Sequence, residues 1–148
     1  MITIAHESVG VLFDDALHLL LQHNDELKER PLAIRQDQYL QMEQAGVLIC
    51  FIARSAGVIV GYAVFYCCED PKHGTPMAVS DAIYLHPDHR RAMNGIKLIK
   101  YADDHLQTFG IRRVDFLVSR VDFGPVLERL GFKQTEVVYS KGERWAAP

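Results

Sequence analysis

Leu85-His-Pro-Asp-His-Arg-Arg-Ala-Met-Asn-Gly-Ile-Lys-Leu-Ile99 reads as a strand end, a polar loop and a helix start. Upstream, Met77–Leu85 is apolar and β-prone. Downstream, Gly95, Leu98, Ile99, Ala102, Leu106 and Phe109 recur at helical spacing, and Gly110 stands where a helix C-terminus favours glycine. A helix N-terminus presents unpaired N–H groups and the positive end of a dipole, so this loop can receive a phosphate. Gly95 lacks the Cβ that would hold a bulky anion off the backbone, and Arg90 and Arg91 add positive charge. The same residues also fit a solvated strand-to-helix turn.

Outward from this stretch the chain alternates between periods. Met1–Ala5 predicts a first strand. Val11–Leu21 carries Leu12, Ala16, Leu19 and Leu20 at helical intervals, with Asp14 and Asp15 near its start. Pro31 interrupts the chain, and a short helix is predicted over Gln36–Gln44, ended by Gly46. Val47–Ala53 and Val58–Tyr66 form a hairpin about the turn Ser55-Ala56-Gly57, and Glu69–Pro76 reads as a loop. Beyond the central stretch come a strand over Arg113–Ser119, a short helix over Phe123–Leu130 capped by Gly131, and a last strand over Phe132–Ser140. No repeat or linker divides the 148 residues, so the expectation is one α/β domain: a mixed sheet with helices on both faces.

Composition narrows the functional classes. A formal net charge of -3 argues against nucleic acid as the main partner, which needs a basic face. No apolar run is long enough to span a bilayer, and the N-terminus lacks a signal-peptide pattern, so no membrane role and a cytoplasmic location are expected. Cys50, Cys67 and Cys68 are an odd count with one adjacent pair, read as buried small hydrophobes in a reducing compartment. His86 and His89 are spaced like a ligand pair. No second pair of ligands completes a site, so no metal is expected.

The loop resembles the acetyl-CoA pyrophosphate loop of the GNAT N-acetyltransferase superfamily, Gln/Arg-x-x-Gly-x-Gly/Ala. Arg90 takes the first place, Met93 stands where the first glycine is usual, and Gly95 takes the last. Tyr84-Leu85-His86-Pro87 is similar to the end of that family's fourth strand, and Leu98–Ala102 to its third helix. Val126-Leu127-Glu128-Arg129-Leu130-Gly131-Phe132 resembles its short helix ending in Leu-Gly-Phe. Small members encoded by bacteriophages share a glycine-poor loop, which the departure at Met93 resembles. The likeness covers about the last two-thirds of the chain and implies a mixed, mostly antiparallel central sheet. The family's usual seventh strand would have to come from Lys141–Pro148. A sheet edge left open there makes a homodimer plausible.

The resemblance further implies acetyl-CoA as cosubstrate and a primary amine, on a small molecule or a protein, as acceptor. It assigns the pyrophosphate to backbone N–H groups of Arg91, Ala92, Met93, Asn94, Gly95 and Ile96 and to the Arg90 side chain. The pantetheine arm would lie beside Ile83, Tyr84 and Leu85, with the Leu85 N–H donating to the developing oxyanion. Asp81 is the candidate general base, expected on the same strand face as Ile83 and Leu85. It also fits a strand carboxylate without catalytic duty. The family's acidic tyrosine aligns with Leu127, and a common asparagine with Arg120. Tyr84 and Tyr139 are substitutes for the acid, though both also fit packing. An acceptor border acidified by Asp14, Asp15, Glu26 and Glu29 suits a cationic amine. The competing class is a non-catalytic module of this fold that binds an acyl-CoA or a protein partner.

Overall fold

The computed structural model describes residues 1–28, 31–118 and 124–141. Its elements follow the order β1 (Thr3–His6), α1 (Val9–Asp15), α2 (Leu17–Leu27), α3 (Gln36–Gln44), β2 (Leu48–Ser55), β3 (Val58–Asp70), β4 (Thr75–Leu85), α4 (Asn94–Thr108), β5 (Arg113–Asp115) and α5 (Gly124–Arg129). A single 3-10 turn, Pro87–His89, separates β4 from α4. The sheet runs β1-β2-β3-β4-β5; its first four strands are antiparallel and β5 is parallel to β4.

Alternation along the strands builds two cores. On one face Phe51, Ala63, Phe65, Ala78 and Leu85 pack with Leu98, Ala102 and Leu106 of α4. On the other, Ile52, Tyr62, Val64 and Tyr84 pack with Val9, Leu12, Ala16 and Leu19 of α1 and α2. Phe51 is fully buried, so truncation to Ala would cost about 3–5 kcal/mol. Helices therefore cover both faces, as the sequence predicts.

The single helix expected over Val11–Leu21 is two. The chain leaves helical geometry at Ala16 (φ -140°, ψ 27°), whose methyl is fully buried, and Leu12 and Leu19 on either side both reach the core. Glu43 of α3 braces the start of α1, accepting from the Ser8 hydroxyl at 2.5 Å and the Val9 N–H at 2.7 Å.

The expected loop over Glu69–Pro76 is half strand, since β3 runs to Asp70 and β4 starts at Thr75, leaving residues 71–74 as the turn. Asp70 collects the turn's donors, accepting from Gly74 N at its carbonyl (2.7 Å) and from Lys72 N at its carboxylate (3.0 Å). The turn closes quickly, leaving Glu69 opposite Pro76 and Asp70 opposite Thr75. At the first hairpin, Ala56 (φ 49°) and Gly57 (φ 82°) are both left-handed, the combination that matches strand twist in a two-residue turn.

Two strand expectations fail at the far edge. β5 stops at Asp115 rather than continuing, because the Leu117 N–H goes to the Ser80 hydroxyl (2.9 Å) instead of to a backbone carbonyl of β4. Residues 132–140 form no strand. Alternation makes a strand only where a neighbouring backbone offers partners, and Val137, Val138 and Tyr139 instead stand exposed at 63%, 70% and 92%. Ser119, Arg120, Phe123, Glu29 and residues 142–148, to which earlier expectations also attach, lie outside the described residues.

Candidate active site

Gly61 brings β3 and β4 together at the point where the site begins. A Cβ there would lie 2.6 Å from the Tyr84 carbonyl oxygen and 2.9 Å from a Leu85 methyl, so the close approach requires glycine. The ladder also fixes which way the β4 backbone faces. His86 N donates to Val60 O at 2.8 Å, making that a hydrogen-bonded pair. Antiparallel pairs alternate, so Leu85 opposite Gly61 and Ile83 opposite Ala63 are non-hydrogen-bonded. The N–H and C=O groups of Ile83 and Leu85 therefore point away from β3. On that side β5 pairs with Met77–Val79, and among the described residues the rest of the β4 edge has no strand beside it.

The open edge leads into the loop before α4. Ala92 (φ 52°) and Met93 (φ 63°) are successive left-handed residues, and Met93 is the N-cap of α4. Left-handed backbone at the Met93 position is the physical reason a glycine would be favoured there. The Asn94 N–H bonds to Arg91 O at 3.0 Å and is thereby removed from the expected anion-binding set. The N–H groups of Ala92, Met93, Gly95 and Ile96 have no acceptor among the described residues. A Cβ on Gly95 would meet nothing within 4 Å, so the space above it is clear. Asn94 is buried beneath, its Nδ2 donating to His89 O at 3.0 Å.

Arg90 is placed differently from the expectation that it reaches a phosphate. Its Nε donates to Leu85 O at 2.7 Å, and a terminal nitrogen pairs with Glu26 at 2.7 Å. The guanidinium also lies 5.3 Å from the centre of the Tyr84 ring. Arg90 thus clasps the loop to the end of β4 and to α2. Arg91 is exposed. Together these elements enclose a cavity of about 350 Å³, lined among others by Ile83, Leu85, Met93, Gly95, Ile96 and Val126.

A second cavity, of about 410 Å³, lies toward α1–α3. Ile83, His23 and Leu27 line both cavities, so the two meet over β4. Asp81 lies in the second. It is an extra residue in the ladder, since Val64 pairs with Ala82 and Phe65 with Ser80, leaving Asp81 opposite nothing. This bulge overturns the expected alternation. Asp81 faces the α1–α3 side, where its carboxylate accepts from Tyr66 at 2.6 Å and Tyr39 at 2.8 Å, while Leu85 packs on the opposite face. Burial first, then the hydrogen bond to Asp81, raises the Tyr66 pKa. Tyr39 is pushed up to about 12, chiefly by burial.

Nothing in the sequence pattern singles out His23. Its Nδ1 lies 2.8 Å from the buried Tyr62 hydroxyl, and its ring stacks on Tyr84 at 4.6 Å. A histidine on an amphipathic helix carries no spacing signal, and only the tertiary fold brings it between the cavities. Tyr84 is held between His23 and Arg90. Its buried hydroxyl makes no hydrogen bond of standard geometry among the described residues, and burial, then the charge of Glu26, raises its pKa while Arg90 opposes them. Tyr139 is solvent-exposed, and Leu127 is buried and apolar, so neither supplies an acid. Asp14 and Asp15 are exposed and outside the second cavity, and Glu26 borders the first. Among the described residues none of the expected border acids lines the second cavity, whose carboxylate is Asp81. Cys50 is buried as expected, with burial raising its thiol pKa, but Cys68 is exposed.

Among the described residues there is no cluster of three or more His, Cys, Asp or Glu that could hold a metal. No helix among them is long and apolar enough to cross a membrane.

The model of the acetyltransferase (GNAT) family matches residues 13–132. No curated protein matches the sequence significantly. Among solved structures, the ribosomal-protein-alanine N-acetyltransferase of Brucella melitensis biovar Abortus 2308 superposes with a TM-score of 0.74 at 21% identity, covering 97% of this chain and 99% of its own. Glucosamine-6-phosphate N-acetyltransferase from Arabidopsis thaliana gives 0.74 at 13%, covering 96% and 98%. A predicted acetyltransferase with acetyl-CoA from Clostridium acetobutylicum gives 0.69 at 15%, covering 96% of each chain. At such identities the superpositions establish a shared fold, and the family match, spanning most of the chain, establishes descent: this chain is a member of the GNAT acetyltransferase family, an acyltransferase built on that family's fold.

Proposed function

We propose that the protein transfers the acetyl group of acetyl-CoA to a primary amine. The observation that carries this reading is the meeting of the two cavities over Ile83, beside an open β4 edge that leads to unpaired N–H groups at the start of α4. Pantetheine would pair with the backbone of Ile83 as an added strand and reach the Leu85 N–H with its thioester, the Leu85 carbonyl being held by Arg90 and Tyr84 anchoring the wall. The pyrophosphate would rest on the N–H groups of Ala92, Met93, Gly95 and Ile96.

The acceptor would enter from the Asp81 side. Its nitrogen attacks the thioester carbonyl, a C–N bond forms, and the Leu85 N–H donates to the oxyanion. Asp81, directly or through water, takes the proton that the ammonium must lose. The C–S bond then breaks. With Leu127 in α5 the thiolate leaves without an acid from that helix, which is tolerable because free thiols titrate only about one to two units above neutrality.

Calorimetry with acetyl-CoA, followed by thiol release in the presence of amines, tests the proposal. Saturable acetyl-CoA binding with amine-dependent thiol release supports it. Binding without release under any amine would favour the non-catalytic module, for which the left-handed Met93 and the apolar Leu127 speak.

A further inference from the structure

Asp81 is the single carboxylate among the described residues lining the second cavity, and no Lys or Arg lines it. The walls are Val9, Leu12, Phe13, Leu20, Ile34 and similar side chains from α1, α2 and the segment before α3. The few hydroxyls present are already engaged. Tyr39 donates to Asp81, and Tyr62 lies in hydrogen-bond distance of His23. A carboxylate has about four acceptor positions, and two of those on Asp81 are taken by Tyr39 and Tyr66. What remains is room for one ammonium at the β4 end of an apolar chamber.

We infer that the acceptor is a monoamine carried on an apolar body, an arylalkyl or alkyl amine, rather than a polyamine, an amino sugar or another polyhydroxylated amine. This deepens the proposed function and rests on it. The ammonium docks on Asp81 while the hydrocarbon replaces water against Phe13, Leu12 and Ile34. Beyond Asp81 the polar lining among the described residues is confined to His23, Asn24, Tyr39 and Tyr62, so a second ammonium meets no second carboxylate and most of a set of hydroxyls would lie against hydrocarbon, which selects against such acceptors. The volume, about 410 Å³, is within the range of small-molecule pockets.

The test compares 2-phenylethylamine and hexylamine with spermidine and glucosamine, using the full chain and acetyl-CoA and reading thiol release. The inference expects kcat/KM for the two apolar amines to exceed that for spermidine and glucosamine by tenfold or more. It further expects Leu32→Glu, which adds a carboxylate at the cavity's partly exposed lining, to shift the ratio toward spermidine. Preference for spermidine or glucosamine in the unaltered protein overturns the inference but leaves the N-acetyltransferase reading intact. If acetyl-CoA fails to bind, that reading falls, and the chamber is tested separately by NMR titration with 2-phenylethylamine. Shifts at Phe13 and Ile34 that Asp81→Asn weakens tenfold or more sustain it, and their absence overturns it.

Discussion

Tyr66 donates its hydroxyl to Oδ1 of Asp81 at 2.6 Å, across a ladder in which Asp81 itself has no backbone partner. The side chain is therefore aimed by β3 and α3 rather than by its own strand. Asp81→Asn keeps the shape and removes the charge. The maximal rate with an accepted amine should fall about a hundredfold or more, with acetyl-CoA affinity near normal. Equal maximal rates for the two proteins would make Asp81 a structural residue.

Met93 stores backbone strain at φ 63°, worth about 1–2 kcal/mol for a side chain other than glycine. Glycine costs about 0.5–1 kcal/mol in unfolded-state entropy. Met93→Gly should therefore stabilise the protein by about 0.5–1 kcal/mol, raising Tm by a few degrees. Affinity for CoA should change by less than tenfold, because the N–H groups are already presented. A larger gain would identify the natural loop as defective for binding.

Gly95→Val places a branched side chain in open space, so circular dichroism and Tm should stay near those of the parent. Calorimetric binding of CoA should nevertheless be lost, since the added carbons occupy the approach to the α4 N-terminus. Unchanged affinity would remove the loop from the cofactor site.

Four of the six tyrosines, Tyr39, Tyr62, Tyr66 and Tyr84, have raised pKa values, with burial the leading cause in each. The folded state holds these protons more tightly than the unfolded chain, whose phenols titrate near about 10. Stability from this source is complete below that pH and declines as pH rises toward about 12, the Tyr39 value. Phenolate absorbance of the native protein should lag that of the denatured protein across this interval. Tyr39→Phe should shrink the lag, and coincident titration curves would contradict the burial assigned to these rings.

Ser80 keeps β5 from closing onto β4 by taking the Leu117 N–H at 2.9 Å. Ser80→Ala should lower stability by about 0.5–1.5 kcal/mol through the loss of this partly buried hydrogen bond. Weaker acetyl-CoA binding should accompany it as the open edge loses definition. Denaturant melts and calorimetry on the same variant check both effects.

The element order and the position of the loop were legible because periodicity, Pro31, Gly46 and Gly110 punctuate the chain. Gly95 was legible through its place at a helix start. The orientation of Asp81 was not, since one unpaired residue leaves no mark on composition yet reverses which face a side chain takes. Nor was the folding-back of Arg90 onto Glu26, a partner 64 residues away. The strand expected over 132–140 shows the complementary limit: alternation reports what a segment could pair with, not whether a partner backbone lies beside it.

The bulge has a consequence for how the acid is inherited. Removing residue 81 alone would leave Ser80 opposite Phe65 and Ala82 opposite Val64, an unbroken register with every neighbouring side chain on its present face. One codon thus separates a sheet with its carboxylate from the same sheet without it. A chain lacking that codon should still fold and keep the Ile83–Leu85 edge, while Tyr39 and Tyr66 lose the acceptor they share. If Asp81 is the proposed base, a single-residue change in length would remove it while leaving the scaffold's register intact.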